Sequence, residues 1–135
     1  MVDSIFLDSN ILIYAYSDTE AWKREKVLSI IESGNMTIST QVVNEFIWIM
    51  NRKYSISLNI LKAIVGNMFE IFNVSLISRG VIDNAIGISE RWGYTYWDSL
   101  ILSSALETDC MAIYTEDMRH GHILDNGLKI TNPFL

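Results

Sequence analysis

The sequence predicts an α/β fold, a three-layer α/β/α sandwich around a mainly parallel central sheet. Short apolar runs such as Ile5-Phe6-Leu7 and Met111 to Tyr114 read as buried strands. Longer stretches between such runs carry apolar residues at helical spacing. Strand and helix patterns alternate along the chain, as parallel strands joined by helical crossovers require. A length of 135 residues suits one domain, 1–135, able to bury about two-thirds of its unfolded surface.

The elements follow in order. Ile5-Phe6-Leu7 is a first strand that ends at Asp8, and Leu12 to Tyr16 is helical. Trp22 to Ile31 is an amphipathic helix with Val27, Leu28 and Ile31 on one face, and Gly34-Asn35 stops it. Met36 to Ser39 is a second strand, after which Thr40 caps a helix over Gln41 to Asn51. Leu61, Ile64, Val65 and Met68 share the face of a fourth helix, and Phe72 to Ile77 is a third strand. Val81 to Trp92 is helical with Ile82, Ala85, Ile86 and Ser89 in register, and Asp98 to Leu106 is the last long helix. Met111 to Tyr114 and Leu128 to Ile130 close the sheet.

Composition excludes several classes. Half the residues are apolar, too many for a disordered chain. The longest apolar stretch, Ile5 to Tyr16, is broken by Asp8, Ser9 and Asn10, so no membrane span is expected. No Lys or Arg precedes that run and no cleavage site follows it, so no signal peptide is expected either. The single cysteine, Cys110, suits a small buried hydrophobe in a reducing cytoplasm. A net charge of −6 argues against broad electrostatic capture of nucleic acid, although bound cations would reverse the sign locally. The bases are grouped: Lys23, Arg24 and Lys26; Arg52 and Lys53; Arg119 with His120 and His122. The first two groups read as solvated helix faces. Arg119 and His120 lie beside Asp117 and are candidate phosphate contacts.

Four carboxylates stand where apolar runs begin or break: Asp8, Glu45, Asp98 and Asp117. A charge among apolar neighbours costs several kcal/mol unless it is neutralised, paired or bound to a cation. Taken singly, Asp8 and Asp98 also suit helix N-caps, and Asp117 a turn ahead of Gly121. Glu45 has no such alternative, because Val42, Phe46 and Ile49 turn its face inward and no Lys or Arg lies three or four residues away. Four acids with few matching bases suggest a shared hard cation, Mg²⁺ or Mn²⁺, which takes oxygen ligands. Asn10 can orient a carboxylate and Thr115 can place a hydroxyl near the metal. The other acids, Glu116 among them, read as solvated surface.

The segments Leu7-Asp8-Ser9-Asn10-Ile11-Leu12, Asn44-Glu45, Trp97-Asp98-Ser99-Leu100 and Tyr114-Thr115-Glu116-Asp117, in this order and spacing, resemble the PIN domain. More narrowly the chain resembles the VapC-type toxins of toxin–antitoxin pairs. Thr115 to Gly121 and the ending Ile130-Thr131-Asn132-Pro133-Phe134 match a recurrent pattern of that group. The resemblance spans nearly the whole chain. It implies an acidic quartet of Asp8, Glu45, Asp98 and Asp117 holding one or two Mg²⁺ or Mn²⁺ ions, with the Thr-x-Asp spacing favouring Asp117 over Glu116. A cluster of this kind activates water for in-line attack on a phosphodiester. Asp8 would bridge, Glu45 and Asp98 would complete the first ion's site, and Asp117 would serve a second ion or an outer shell. The implied function is a metal-dependent endoribonuclease acting on single-stranded or looped RNA. The implied partners are an antitoxin and a second copy of the chain. An excess of aromatic residues (Trp22, Trp48, Trp92, Trp97, Phe46, Phe69 and Phe72) predicts an exposed docking surface. The antitoxin would dock as a helix near the first two helices and place a basic residue among the acids.

Two other classes fit part of the pattern. A receiver-like phosphoacceptor domain also gathers acids at strand ends, but it carries two adjacent acids after its first strand, where this chain has Asp8 alone. A non-catalytic RNA-binding module would keep the fold without cutting.

Overall fold

The structure, a computed structural model, describes residues 4–135. The elements are β1 (Ile5–Leu7), α1 (Ser9–Leu12) running on into a 3₁₀ turn (Ile13–Tyr16), α2 (Ala21–Glu32), β2 (Met36–Ser39), α3 (Thr40–Arg52), α4 (Leu58–Ile71), β3 (Asn73–Ser75), α5 (Arg79–Trp92), α6 (Tyr96–Glu107), β4 (Ala112–Tyr114) and β5 (Lys129–Thr131). The five strands form one sheet in the order β3-β2-β1-β4-β5. Every pairing is parallel, with Ile5 opposite both Met36 and Ala112, and Thr37 opposite Asn73. The three-layer α/β/α arrangement is as the alternation of patterns predicts.

The core lies on the sheet. Phe6, Leu7, Ile38 and Ile113 of the strands are fully buried with Ile11, Leu12, Val42, Phe46 and Leu102 of the helices. A parallel strand is covered on both faces, which is why three or four consecutive apolar residues suffice to mark each one. The strands of β1 and β2 carry side chains such as Phe6 and Thr37 that are both almost wholly enclosed.

Several local expectations are corrected. Ser39, not Thr40, caps α3, its hydroxyl accepting from Val42 N–H at 3.3 Å, so the helix starts one residue earlier than its apolar pattern. Thr95 likewise caps α6 by accepting from Asp98 N–H at 3.1 Å, which puts Asp98 in the first helical turn instead of at the cap. On α2 only Val27 is buried while Leu28 is exposed, so that helix rests on a narrower stripe than Val27, Leu28 and Ile31 suggest. On α5 the buried positions are Val81 and Ala85, and Ile82 and Ile86 face outward. The cause is close packing on α6, where Ser103 Oγ donates to Val81 C=O at 2.7 Å; Val and Ala permit that approach and the larger Ile does not. Gly93 ends α5 in the left-handed region, φ 79°, which turns the chain back toward α6 without a Cβ penalty.

The strand order decides where a site can form. From β1 the chain winds one way through β2 to β3, then returns to place β4 on the other side of β1. The crevice at a reversal of this kind opens at the carboxyl ends of the two flanking strands, here β1 and β4. Asp8 follows β1 and Thr115 to Asp117 follow β4. Among the described residues no helix is long and apolar enough to cross a membrane.

Candidate active site

Asp8 sits at the bottom of the crevice, 5% exposed. Its backbone N–H donates to Tyr114 C=O at 3.1 Å, which ties the end of β1 to the end of β4. One carboxylate oxygen, Oδ1, accepts from Ser9 N–H at 2.7 Å, so Asp8 is the N-cap of α1 as well as the base of the site. The other, Oδ2, accepts from Thr115 Oγ1 at 2.8 Å and from Asn10 Nδ2 at 3.5 Å. Asn10 also donates to Thr115 Oγ1 at 3.3 Å and its Oδ1 accepts from Glu116 N–H at 3.3 Å. Asn10 and Thr115 thus hold Asp8, as orientation by an amide and a hydroxyl requires, and Thr115 Oγ1 accepts from Asp117 N–H at 3.2 Å as well.

Glu45 reaches the same place from the second turn of α3. Ser9 Oγ lies 3.1 Å from Glu45 Oε1 and 3.5 Å from Asp8 Oδ1, so its one proton links the two carboxylates. Asp98 comes from the first turn of α6, and the exposed Asp117 from the loop after β4. Burial raises the Asp8 carboxyl to about 7; its bond from Thr115 opposes the rise, while the charges of Glu45 and Asp98 add to it. Glu45 is also raised, by burial first and then by Asp98 and Asp117, against hydrogen bonds from Ser9 and Gln41. Asp98 is raised by burial and by Asp117, against a hydrogen bond from Thr95. Asp8, Glu45 and Asp98 therefore each feel the charge of at least one neighbouring acid.

Among the described residues no cation is paired with them: no ion pair includes Asp8, Glu45, Asp98 or Asp117. Lys23 instead pairs with Glu116 at 2.8 Å and with Glu20 at 3.2 Å. Glu116 also accepts from Tyr14 OH at 2.6 Å, so it is a partly buried partner of α2 and not the solvated surface acid its sequence context suggests. This commitment leaves Asp117 as the acid of that loop on the crevice. Arg119 donates to Trp92 C=O at 2.5 Å and lies over the Tyr94 ring at 4.5 Å. His120 Nδ1 accepts from Asn132 N–H at 2.9 Å, and His122 packs between Trp92 and Tyr94. Each of these three residues thus has an intramolecular partner.

The donor set suits a hard divalent ion: carboxylate and hydroxyl oxygens, uncompensated negative charge and one deeply buried acid. Among the described residues, no three acids, imidazoles or thiols stand close enough to make a finished ligand shell. The acids act on one another through their charges, and Asp8 is the most deeply buried of them. Sequence reasoning missed three supports: Ser9 between Asp8 and Glu45, Gln41 beneath Glu45, and Thr95 beside Asp98. Thr95 could be found as the cap of α6 and Ser9 as the chain neighbour of Asp8; Gln41 could be found only once α3 was known to face α6.

Of the aromatic residues expected at the surface, Phe46 and Phe72 are buried and Trp92 is half-buried, whereas Trp22, Trp48, Trp97 and Phe69 are exposed. Phe46 and Phe72 fill the core beneath α3 and after α4, which shrinks the outward set.

A doubly wound sheet with an acid-lined switch point defines the class of protein. Residues 5–123 match the PIN domain, and the chain belongs to that family. No curated protein matches it by sequence. Among solved structures it is similar to a toxin–antitoxin complex from Klebsiella pneumoniae (18% identity over 96% of this chain and 97% of that chain, TM-score 0.72). It is also similar to VapC20 of Mycobacterium tuberculosis, described as a sarcin–ricin loop cleaving toxin (15% identity, 84% and 89% covered, TM-score 0.69). A third is DNA-bound VapBC from Salmonella typhimurium (19% identity, 96% and 97% covered, TM-score 0.66). At these identities the likenesses show a shared fold.

Proposed function

We infer that this PIN domain is a metal-dependent endoribonuclease, the toxin of a toxin–antitoxin pair, acting in the cytoplasm as one catalytic unit of residues 1–135. The observation that carries this reading is Asp8, buried, held by four hydrogen bonds and surrounded by like charges with no matching cation among the described residues. Natural proteins keep such clusters where a cation completes them. Asp8, Glu45, Asp98 and Asp117 would hold one or two Mg²⁺ or Mn²⁺ ions. A bound ion supplies Lewis-acid stabilisation of the phosphoryl charge and lowers the pKa of a coordinated water.

The chain's own residues do the rest. Thr115, Asn10 and Ser9 N–H fix both oxygens of Asp8, leaving its orientation independent of the ligand. Ser9 holds Glu45 beside it. In the metal-free state the raised carboxyls of Asp8, Glu45 and Asp98 take up protons at a pH where free acids would not. The open crevice admits a reachable, unpaired backbone more readily than a duplex, which favours single-stranded or looped RNA.

The likeness to toxin–antitoxin complexes supports an antitoxin partner, and the uncompensated charge of the acids would favour one that places a basic side chain among them. Exposed Trp22, stacked edge-on against Phe134 at 5.6 Å beside α2, offers an apolar surface for its helix. A homodimer is part of the same proposal, and light scattering at micromolar concentration tests it: a strict monomer would remove it. The catalytic reading is tested on a broad single-stranded RNA pool. Purified protein is expected to cut with Mg²⁺ or Mn²⁺, to stop on EDTA, and to lose activity in Asp8→Asn. Cutting without metal, or none at all, would sink it.

A further inference from the structure

Beside the acids, between α3 and α6, lies a cleft of about 500 Å³ that the carboxylate chemistry does not use. Trp48 and Trp97 flank it, 59% and 64% exposed, and Ile77 and Leu100 form its apolar floor. Glu45 itself lines one end, so the cleft is continuous with the candidate active site. Gln41 lines it too. Its Nε2 donates to Trp97 C=O at 3.2 Å, but its Oε1 is one of two buried side-chain oxygens without a hydrogen-bond partner among the described residues. Gln41 is nine-tenths buried.

We propose that this cleft is a nucleobase subsite, taking one unstacked base of the RNA next to the phosphate held at the acids. The proposal rests on the ribonuclease reading above and names the part of the substrate that reading leaves open. Three features select a base over an aliphatic occupant. Exposed indoles at both sides offer π surfaces of the kind on which single-stranded bases stack. The orphaned acceptor of Gln41 calls for a donor, and a base carries one on its exocyclic amino group or ring N–H. The guanidinium of Arg52 lies 4.4 Å from the Trp48 ring centroid, so a positive charge stands against one of the indoles that line the cleft, near an otherwise acidic site. A base flanked by its own phosphates meets all three.

Stacking does not depend strongly on base identity, while the Gln41 carbonyl requires a donor edge. The subsite would thus admit several bases and favour those presenting an N–H toward α3. Its position beside Glu45 would fix the register of the strand across the acids, and so the bond that is cut.

The test uses a fluorescein-labelled hexaadenylate and an abasic hexamer of equal length and charge, followed by anisotropy in EDTA at low salt. Because both oligomers meet the same acids, repulsion cancels in the comparison. The hexaadenylate should bind about tenfold or more tightly than the abasic oligomer. Trp48→Ala and Trp97→Ala should each erase most of that difference, and Trp97→Phe should restore it. Both tryptophans are exposed, so the variants should melt like the wild type. Equal binding of the two oligomers, or unchanged hexaadenylate affinity in both alanine variants, would overturn the proposal. So would variants that keep the oligomer yet no longer bind a co-expressed antitoxin, since the cleft would then be a protein-docking site. A wild type that discriminates the oligomers but cuts no RNA would refute the nuclease and leave the base subsite standing.

Discussion

Replacing Asp8 with Asn keeps the side-chain volume and removes the charge, and its effect on stability should depend on pH. Burial pushes the folded carboxyl up to about 7, from 3.8 for a free aspartate. A raised carboxyl binds its proton more tightly in the native state than in the unfolded chain. Between these values the unfolded chain therefore holds fewer protons, and stability falls as pH rises. Below 3.8 there is no penalty, and above about 7 it levels off at about 4 kcal/mol, from roughly three units at about 1.4 kcal/mol each. From pH 5 to pH 8 the share specific to Asp8 is about 2.5 kcal/mol, or about 10 °C in Tm for a chain of 135 residues. Asp8 is 5% exposed, so solvent does little to screen this. The substitution has a cost as well. Asn presents an NH₂ group where Oδ2 accepts from Thr115 and Asn10, losing about 1 kcal/mol per bond at every pH. Thermal melts in EDTA at pH 5 and pH 8 separate the two effects. Asp8→Asn should gain about 10 °C on the wild type between those conditions, because the hydrogen-bond losses cancel in the difference. A gap between variant and wild type that does not change with pH would refute the electrostatic account of the site.

Two further outcomes follow from the same geometry. Saturating Mg²⁺ or Mn²⁺ should raise the wild-type Tm, by about 2.7 kcal/mol of stability at a hundredfold excess over Kd, and should do so less in Asp98→Asn. Its effect should strengthen as pH rises through about 7, where Asp8 gives up its proton; a metal shift that is equal at pH 5 and pH 8 would contradict this. Lys23→Met should destabilise by about 1–3 kcal/mol, since it leaves the partly buried Glu116 without its cation. Adding Glu116→Gln should recover part of that loss in urea melts, and strictly additive losses would show that the pair is not coupled.

Much of the fold was legible because parallel strands are enclosed on both faces. Ile5-Phe6-Leu7 and Met36 to Ile38 can be read from apolarity alone, since both faces of each strand exclude water. Helix faces were less legible. The α5 pattern allows Ile82 and Ile86 or Val81 and Ala85 to face inward; only the close approach of Ser103 on α6 selects the smaller pair. Cap positions shifted by a residue or more for a similar reason. Ser39 and Thr40 are both competent caps, and the register of β2 decides between them.

The sequence by itself determined the α/β class, the succession of strands and helices, and the placing of four acids where apolar runs begin or break, because burial and charge are properties of residue types and their spacing. It also carried the pattern by which the chain belongs to the PIN family. Only the tertiary structure decided which groups meet. Lys23 and Glu116 are 93 positions apart and Thr115 and Asp8 are 107 apart, so no local pattern encodes either contact. The β1–β4 switch point brings Asp8 to Thr115, and the crossing of α3 and α6 makes a cleft of Trp48 and Trp97 beside Glu45. Those pairings depend on the order of strands in the sheet, which distant residues set together and no segment specifies alone.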